Sequence, residues 1–184
     1  MGLSVNVLAA DVKLLDFTRS SYDKITAINP ATTDFADTAL TQLKAIFNFN
    51  EFCLRTMQDI NKKMSEAEYA QAQALFENVF FLNFKKNALS INNKKINTPV
   101  YSVTSSVQDY QVVTLSGTTA AGSMHIDFYI KSDSRDSLGI IDLAIDGVQL
   151  SRNYRGVFNR LYREKGFAGL SERLQNKQLE LTTK

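Results

Sequence analysis

The chain has one cysteine, one histidine, no tryptophan and only two prolines among its 184 residues. Each scarcity removes a class of function. A single Cys53 cannot close an internal disulfide, so the fold is not a disulfide scaffold, and a lone thiol leaves the redox compartment open. With one His and one Cys, no metal cluster can be assembled. No two glycines stand at phosphate-loop spacing, and no serine or threonine sits in a nucleophile elbow. Hydrophobic stretches such as Val5–Ala10 and Val79–Leu82 fall far short of the ~18 residues that cross a bilayer. A soluble protein with no stable membrane insertion is expected. No basic segment followed by an apolar run of ~7–15 residues opens the chain, so an exported form would already lack its signal peptide.

What is present fits one globular domain. Hydrophobic residues make up 44% and charged residues 22%, and a chain of this length buries about 70% of its unfolded surface, enough for a core without staples. The aromatics are lopsided, with twelve Phe and seven Tyr. The net charge of +2 is uneven: from Ser151 onward eight Lys or Arg face three Glu, so the tail carries +5 and the rest −3. A basic helical tail suits phosphate, anionic lipid or an acidic protein, or is simply a solvated helix face.

Periodicity predicts helices over residues 5–94, strands over 98–148 and C-terminal helices over 151–181. Asn29-Pro30 and Thr32-Thr33 separate a helix over about 6–27 from one over about 34–47, and Asn48 and Asn50 break the run. Ser65 with Glu68 forms a capping box opening a helix over about 66–90. Leu75, Phe76, Val79, Phe80, Phe81, Leu82 and Phe84 cover more than one ~100° stripe of that helix, which predicts burial on two sides or a cavity wall. Met124, Ile126, Phe128 and Ile130 alternate with His125, Asp127, Tyr129 and Lys131, one face apolar and one wet. Tyr101 to Val107 and Tyr110 to Leu115 precede that strand, Gly117 and Gly122 bracket a turn, Asp133 to Ser137 form another, and Ile141, Leu143 and Ile145 alternate with Asp142, Ala144 and Asp146. Four successive strands with short connections are antiparallel, with one helical layer over the apolar face.

The chemistry-bearing residues are few. His125 and Asp127 share a strand face, so a carboxylate-oriented general base is conceivable, although a solvated surface histidine is the commoner outcome. Cys53, between Phe52, Leu54 and Met57, reads as a small buried hydrophobe. No aromatic strand platform accompanies the basic tail, which argues against nucleic acid. From the residues alone, a carrier of a small hydrophobic ligand and a structural interaction domain both remain open.

The segment from Ile140 to Leu174 adds a resemblance. Asp142, the Asp146-Gly147-Val148 turn, Asn153-Tyr154-Arg155 with Phe158, and Gly166-Phe167 with Leu170 resemble the signature end of the MlaC family of periplasmic phospholipid-binding proteins, the toluene-tolerance auxiliary proteins. Phe47-Asn48-Phe49-Asn50-Glu51-Phe52 is similar to that family's F-D-F-D segment, and the helix after Ser65 takes the place of its long helix, so the resemblance spans about residues 34–174. Departures stand at Leu138 for a common Trp, at Gln149 for a Ser, and at Asn48 and Asn50 for acidic residues. They mark a divergent member.

The resemblance implies a single lipid-binding domain over residues 1–184 of α+β class. Its expected form is a twisted antiparallel sheet of about four strands covered on one face by helices, similar to cystatin and nuclear-transport-factor folds, with a deep apolar pocket between the layers. It implies a carrier, not an enzyme, working in the periplasm without cofactor. Phospholipid is its cargo, and its partners are an inner-membrane MCE-type ABC transporter subunit and an outer-membrane lipoprotein complex that maintain outer-membrane lipid asymmetry. A hopanoid or other lipid as cargo, or a small enzyme using His125 and Asp127, are the alternatives. On that reading the pocket is lined by Phe76, Phe80 and Phe84 from the helix and by Met124, Ile126, Phe128, Ile130, Leu143 and Ile145 from the sheet. Gly147 permits the turn, Tyr154 and Phe158 pack the last helix on the sheet, and Arg155 either pairs with Asp142 or reaches a head-group phosphate. Arg152, Arg160, Arg163 and Arg173 are the candidate partner-docking face.

Overall fold

The computed structural model describes residues 3–107, 109–132 and 137–183. Four helices and a short 3-10 turn come first: α1 (Leu3–Thr26), α2 (Phe35–Ile46), α3 (Phe49–Met57), the 3-10 turn Asn61–Lys63 and α4 (Glu66–Asn92). Five strands follow, β1 (Asn97–Val107), β2 (Tyr110–Thr119), β3 (Gly122–Ser132), β4 (Leu138–Ile145) and β5 (Val148–Gln149), and α5 (Leu150–Thr182) closes the chain. The sheet is an open antiparallel meander in the order β1-β2-β3-β4-β5. The fifth strand, two residues long, is one more than the alternation predicts, because so short a ladder has no periodicity to read.

Local chemistry explains most boundaries. Ser65 and Glu68 make the predicted capping box at the start of α4, satisfying two amides that the first turn leaves free. Asn48 breaks one helix because it starts another: its side chain accepts the Glu51 N–H and caps α3. Either Asn or Asp performs that task, so the departure at this position costs nothing locally. Asp146 and Gly147 have φ of 48° and 81°, the left-handed pair that a tight type I′ connection from β4 to β5 demands.

Three expectations change. Gly117 lies inside β2, not in the turn, which is only Ala120-Ala121 between the paired Thr119 and Gly122. A Cβ on Gly117 would collide with Ile96 and stand 2.7 Å from the Asn97 carbonyl, so this glycine allows β1 to cross closely over β2. The register between β3 and β4 shifts after Tyr129↔Asp142, with Ile130 opposite Ile140, so Ile141 is a bulge residue and strict alternation fails there. The expected wet face of β4 is dry, since Asp142 and Ala144 are as buried as the core. The predicted turn from Asp133 falls, over residues 133–136, outside the described residues.

The free edge of β4 explains that burial. Phe47 bridges Ile140 in parallel, with the Asn48 N–H donating to the Ile140 carbonyl, and β5 pairs with Ala144 and Ile145 further along. The edge is therefore covered on both halves, which removes a site for unwanted pairing. α4 lies between α2 and α5, so both sides of its wide apolar face are used. One hydrophobic core unites all five helices with the inner face of the sheet. Gly166 (φ 63°, ψ −162°) interrupts α5 and divides it into two helical segments.

Candidate functional site

The inner layer is built around phenylalanine. Phe47 and Phe49 flank the α3 cap, Phe52 follows one turn later, and Phe76, Phe80 and Phe81 project from α4. Their ring centroids lie 4.9–6.5 Å apart in a network that Tyr154 and Phe158 of α5 complete. Such pairs add ~0.5–1.5 kcal/mol each beyond burial. Of the expected pocket residues, Phe76 and Phe80 sit inside this network, whereas Phe84 packs sideways, between the main core and a small cluster of Phe35, Ala39 and Ala88. Phe47, Phe49 and Phe52 belong to the same ring network although sequence reasoning assigned them only to a motif. Their helical neighbours give no sign of which rings meet across the chain.

The sheet supplies a graded apolar surface. Ile130 and Phe128 are buried, Ile126, Met124 and Leu143 are half-buried, and Ile145 is 41% exposed. Ile126 pairs with Ile145 and Phe128 with Leu143, so the six form one face that runs from the dry core to solvent. Above β1 the Tyr101 hydroxyl is buried without a hydrogen-bond partner, and burial pushes its pKa up to about 12.

The motif residues form a clamp at the β4 edge. Asp142 is wholly buried. One of its oxygens accepts the Leu143 N–H at 2.9 Å and the Ser151 N–H at 3.1 Å, and the other accepts Gln149 Nε2 at 2.7 Å and the Ser151 hydroxyl at 2.5 Å. A carboxylate from a neighbouring strand thus caps the α5 N-terminus, where free amides and the helix dipole favour negative charge. Gln149, the departure from Ser, still reaches the carboxylate. Arg155 does not pair with Asp142, contrary to one of its two expected roles. Its Nε and a terminal nitrogen donate to the Arg55 carbonyl at 3.0 and 2.6 Å, capping the α3 C-terminus, where free carbonyls favour a cation. The Arg55 side chain comes within 3.8 Å of Asp142 and lies over the Tyr110 ring at 4.6 Å. Nothing in the sequence singles out Arg55. Asn153 is exposed.

Arg152, Arg160, Arg163 and Arg173 are all exposed. The first three share a stripe of the segment before Gly166, and Arg173 lies beyond the kink. His125 is exposed, while Asp127 accepts the Thr114 hydroxyl at 2.6 Å, so its recorded partner is a threonine and not the imidazole. Burial pushes the Cys53 thiol up to about 12, with the Tyr69 hydroxyl 3.9 Å from its sulfur; it is protonated at neutral pH. Among the described residues no group of three or more His, Cys, Asp or Glu could hold a metal, and no helix is long and apolar enough to cross a membrane.

Two surface clefts stand out among the described residues. One of about 210 Å³ lies between the α2–α3 junction and the start of β4, with Phe47, Asn48, Lys131 and Leu138 in its wall. The other, about 330 Å³, lies between the 3-10 turn and α5. None of the nine expected pocket residues lines either.

The MlaC protein family model matches residues 23–176. No curated protein matches the chain. Among solved structures, a phospholipid-binding protein from Ralstonia solanacearum, determined in complex with a phospholipid, superposes with a TM-score of 0.74 at 16% identity, covering 91% of this chain and 98% of that one. At that identity the likeness is one of fold.

Proposed function

Because the chain belongs to the MlaC family, we propose that it is a periplasmic phospholipid-binding carrier, holding acyl chains between its sheet and its helices. The observation that carries the reading is the apolar track from Ile130 and Phe128 through Ile126 and Met124 to the exposed Ile145, in a fold shared with a protein that holds phospholipid. An acyl chain laid along it exchanges water for hydrocarbon at ~0.8 kcal/mol per methylene. No reacting group is needed for that, so a binding protein fits the chemistry better than an enzyme.

Seating two chains requires the layers to part, since Phe76 and Phe80 already fill the space beside Phe52. The half-buried sheet residues are the point of access, and Phe76, Phe80 and Phe84 form the opposite wall. The exposed Arg152, Arg160, Arg163 and Arg173 supply a basic face for docking the transporter subunit and the lipoprotein complex, and charge pairing of this kind raises association rates and weakens with salt. Extraction of the purified protein with organic solvent followed by mass spectrometry tests the reading. About one phospholipid per chain is expected, and a lipid-free protein that also takes up none from vesicles would overturn it.

A further inference from the structure

The second cleft is lined by Asp59, Ile60, Lys63, Asn159, Tyr162 and Arg163. Asn159, Tyr162 and Arg163 stand at i, i+3 and i+4 and so share one face of α5. Two bonds hold the walls together: Asn159 Nδ2 donates to Asp59 Oδ2 at 2.7 Å, and the Tyr162 hydroxyl donates to the Lys63 carbonyl at 2.8 Å. The floor is apolar, because Ile60 is buried in the core that also holds Met57 and Phe52, and Tyr162 packs against that core. The cleft is thus mainly apolar in its lining and carries a few polar groups.

Its polar groups do not balance one another. Lys63 and Arg163 carry two positive charges and Asp59 one negative charge, so the lining residues together carry an excess positive charge. The Asn159 Oδ1 is buried without a partner, and its orientation follows from the amide nitrogen's bond to Asp59. A buried acceptor left unpaired favours a ligand that brings a donor. The cleft therefore calls for an anion and a hydrogen-bond donor a few bonds apart, and its volume of about 330 Å³ is at the lower end for small-molecule sites.

We propose that this cleft binds a phosphate ester carrying an ammonium group, the chemistry of a phosphoethanolamine head. The phosphate lies between Lys63 and Arg163, and the ammonium displaces Asn159 from Asp59. The freed amide then turns its Oδ1 onto a second ammonium N–H. A trimethylammonium group has no N–H to offer, so phosphocholine binds less well. The ligand's source is either a diacyl lipid, whose chains run past Ile60 into the core, or the free phosphoester; the first rests on the carrier reading and the second does not.

Two measurements separate these. NMR titration with soluble phosphoethanolamine, phosphocholine and inorganic phosphate is expected to shift amides of residues 59–63 and 159–163, with phosphoethanolamine binding about tenfold more tightly than phosphocholine, a difference of ~1.4 kcal/mol. Lipid uptake from vesicles of phosphatidylethanolamine or phosphatidylcholine with identical acyl chains is expected to favour the former, Lys63→Gln to lower uptake of both, and Asn159→Ala to erase the preference. Uptake without head-group preference, unchanged in K63Q and with no shifts at the cleft, overturns the site while leaving the carrier reading intact. Shifts at the cleft without lipid uptake support the site for the free ester and count against the carrier. Neither shifts nor uptake overturns both.

Discussion

Removing the Asp142 carboxylate is the sharpest test of how the motif works. Asp142 is 0% exposed and accepts four hydrogen bonds from three residues, with the Arg55 guanidinium 3.8 Å away. In Asp142→Ala the Ser151 amide and hydroxyl, the Gln149 amide and Arg55 all lose their acceptor. Breaking a buried pair by deleting one partner costs ~3–5 kcal/mol, and because Arg55 retains some contact with water the lower part, about 3–4 kcal/mol, is expected here. For a domain of this size that lowers the melting temperature by ~6–16 °C. Asp142→Asn keeps one acceptor oxygen for the Leu143 and Ser151 amides but sets its NH₂ against Gln149 Nε2, so about 1–2 kcal/mol is expected. Thermal and urea unfolding followed by circular dichroism measure both. A loss below ~1 kcal/mol in the alanine variant would refute the capping argument, since uncapped buried donors cannot be that cheap.

Other outcomes follow from the same geometry. Gly117→Ala should cost about 1–3 kcal/mol in urea unfolding, because its methyl group meets Ile96 and the Asn97 carbonyl where β1 crosses. Cys53, ordinarily titrating near 9, is held protonated up to about 12; above pH 9 the unfolded chain releases a proton that the native state retains. Stability should therefore fall as pH rises from 9 to 10, by at most ~1.4 kcal/mol per unit for this thiol, and Cys53→Ala should flatten that slope. Ile126→Glu, on the half-buried part of the apolar face, should abolish phospholipid co-purification in a folded protein, as judged by mass spectrometry alongside circular dichroism. The same charge at Phe80, stacked 5.2 Å from Phe47, should instead unfold the chain.

Much of the architecture was legible in the sequence because it is local. The long α4 announces itself through Ser65 and Glu68, the β4–β5 turn through Asp146-Gly147, and the inner face of β3 through its alternation from Met124 to Ile130. Each depends on residues within a few positions of one another, so periodicity and cap chemistry suffice. The candidate site was legible only as placement on elements, not as a pocket. The nine residues expected to line a pocket lie on α4, β3 and β4, yet Phe84 faces α2, and Phe47, Phe49 and Phe52 join the aromatic layer unannounced.

The sequence by itself determined the element types, the α+β order, the likeness to the MlaC family and the poverty of reacting groups. Tertiary structure decided what those elements do to one another. A covered edge turned the expected wet face of β4 into the buried seat of Asp142: opposite Tyr129 it keeps the face that alternation gives it, and β5 with the start of α5 closes over it. The bulge at Ile141 instead brings Ile140 to the inner face beside Ile130, because a side-chain period of two lets one extra residue reassign a face. Contacts a hundred residues apart, Arg155 on the Arg55 carbonyl and Asn159 on Asp59, joined α3 and the turn after it to α5. No local pattern encodes such pairs, since they depend on where two helix ends arrive after the sheet between them has folded.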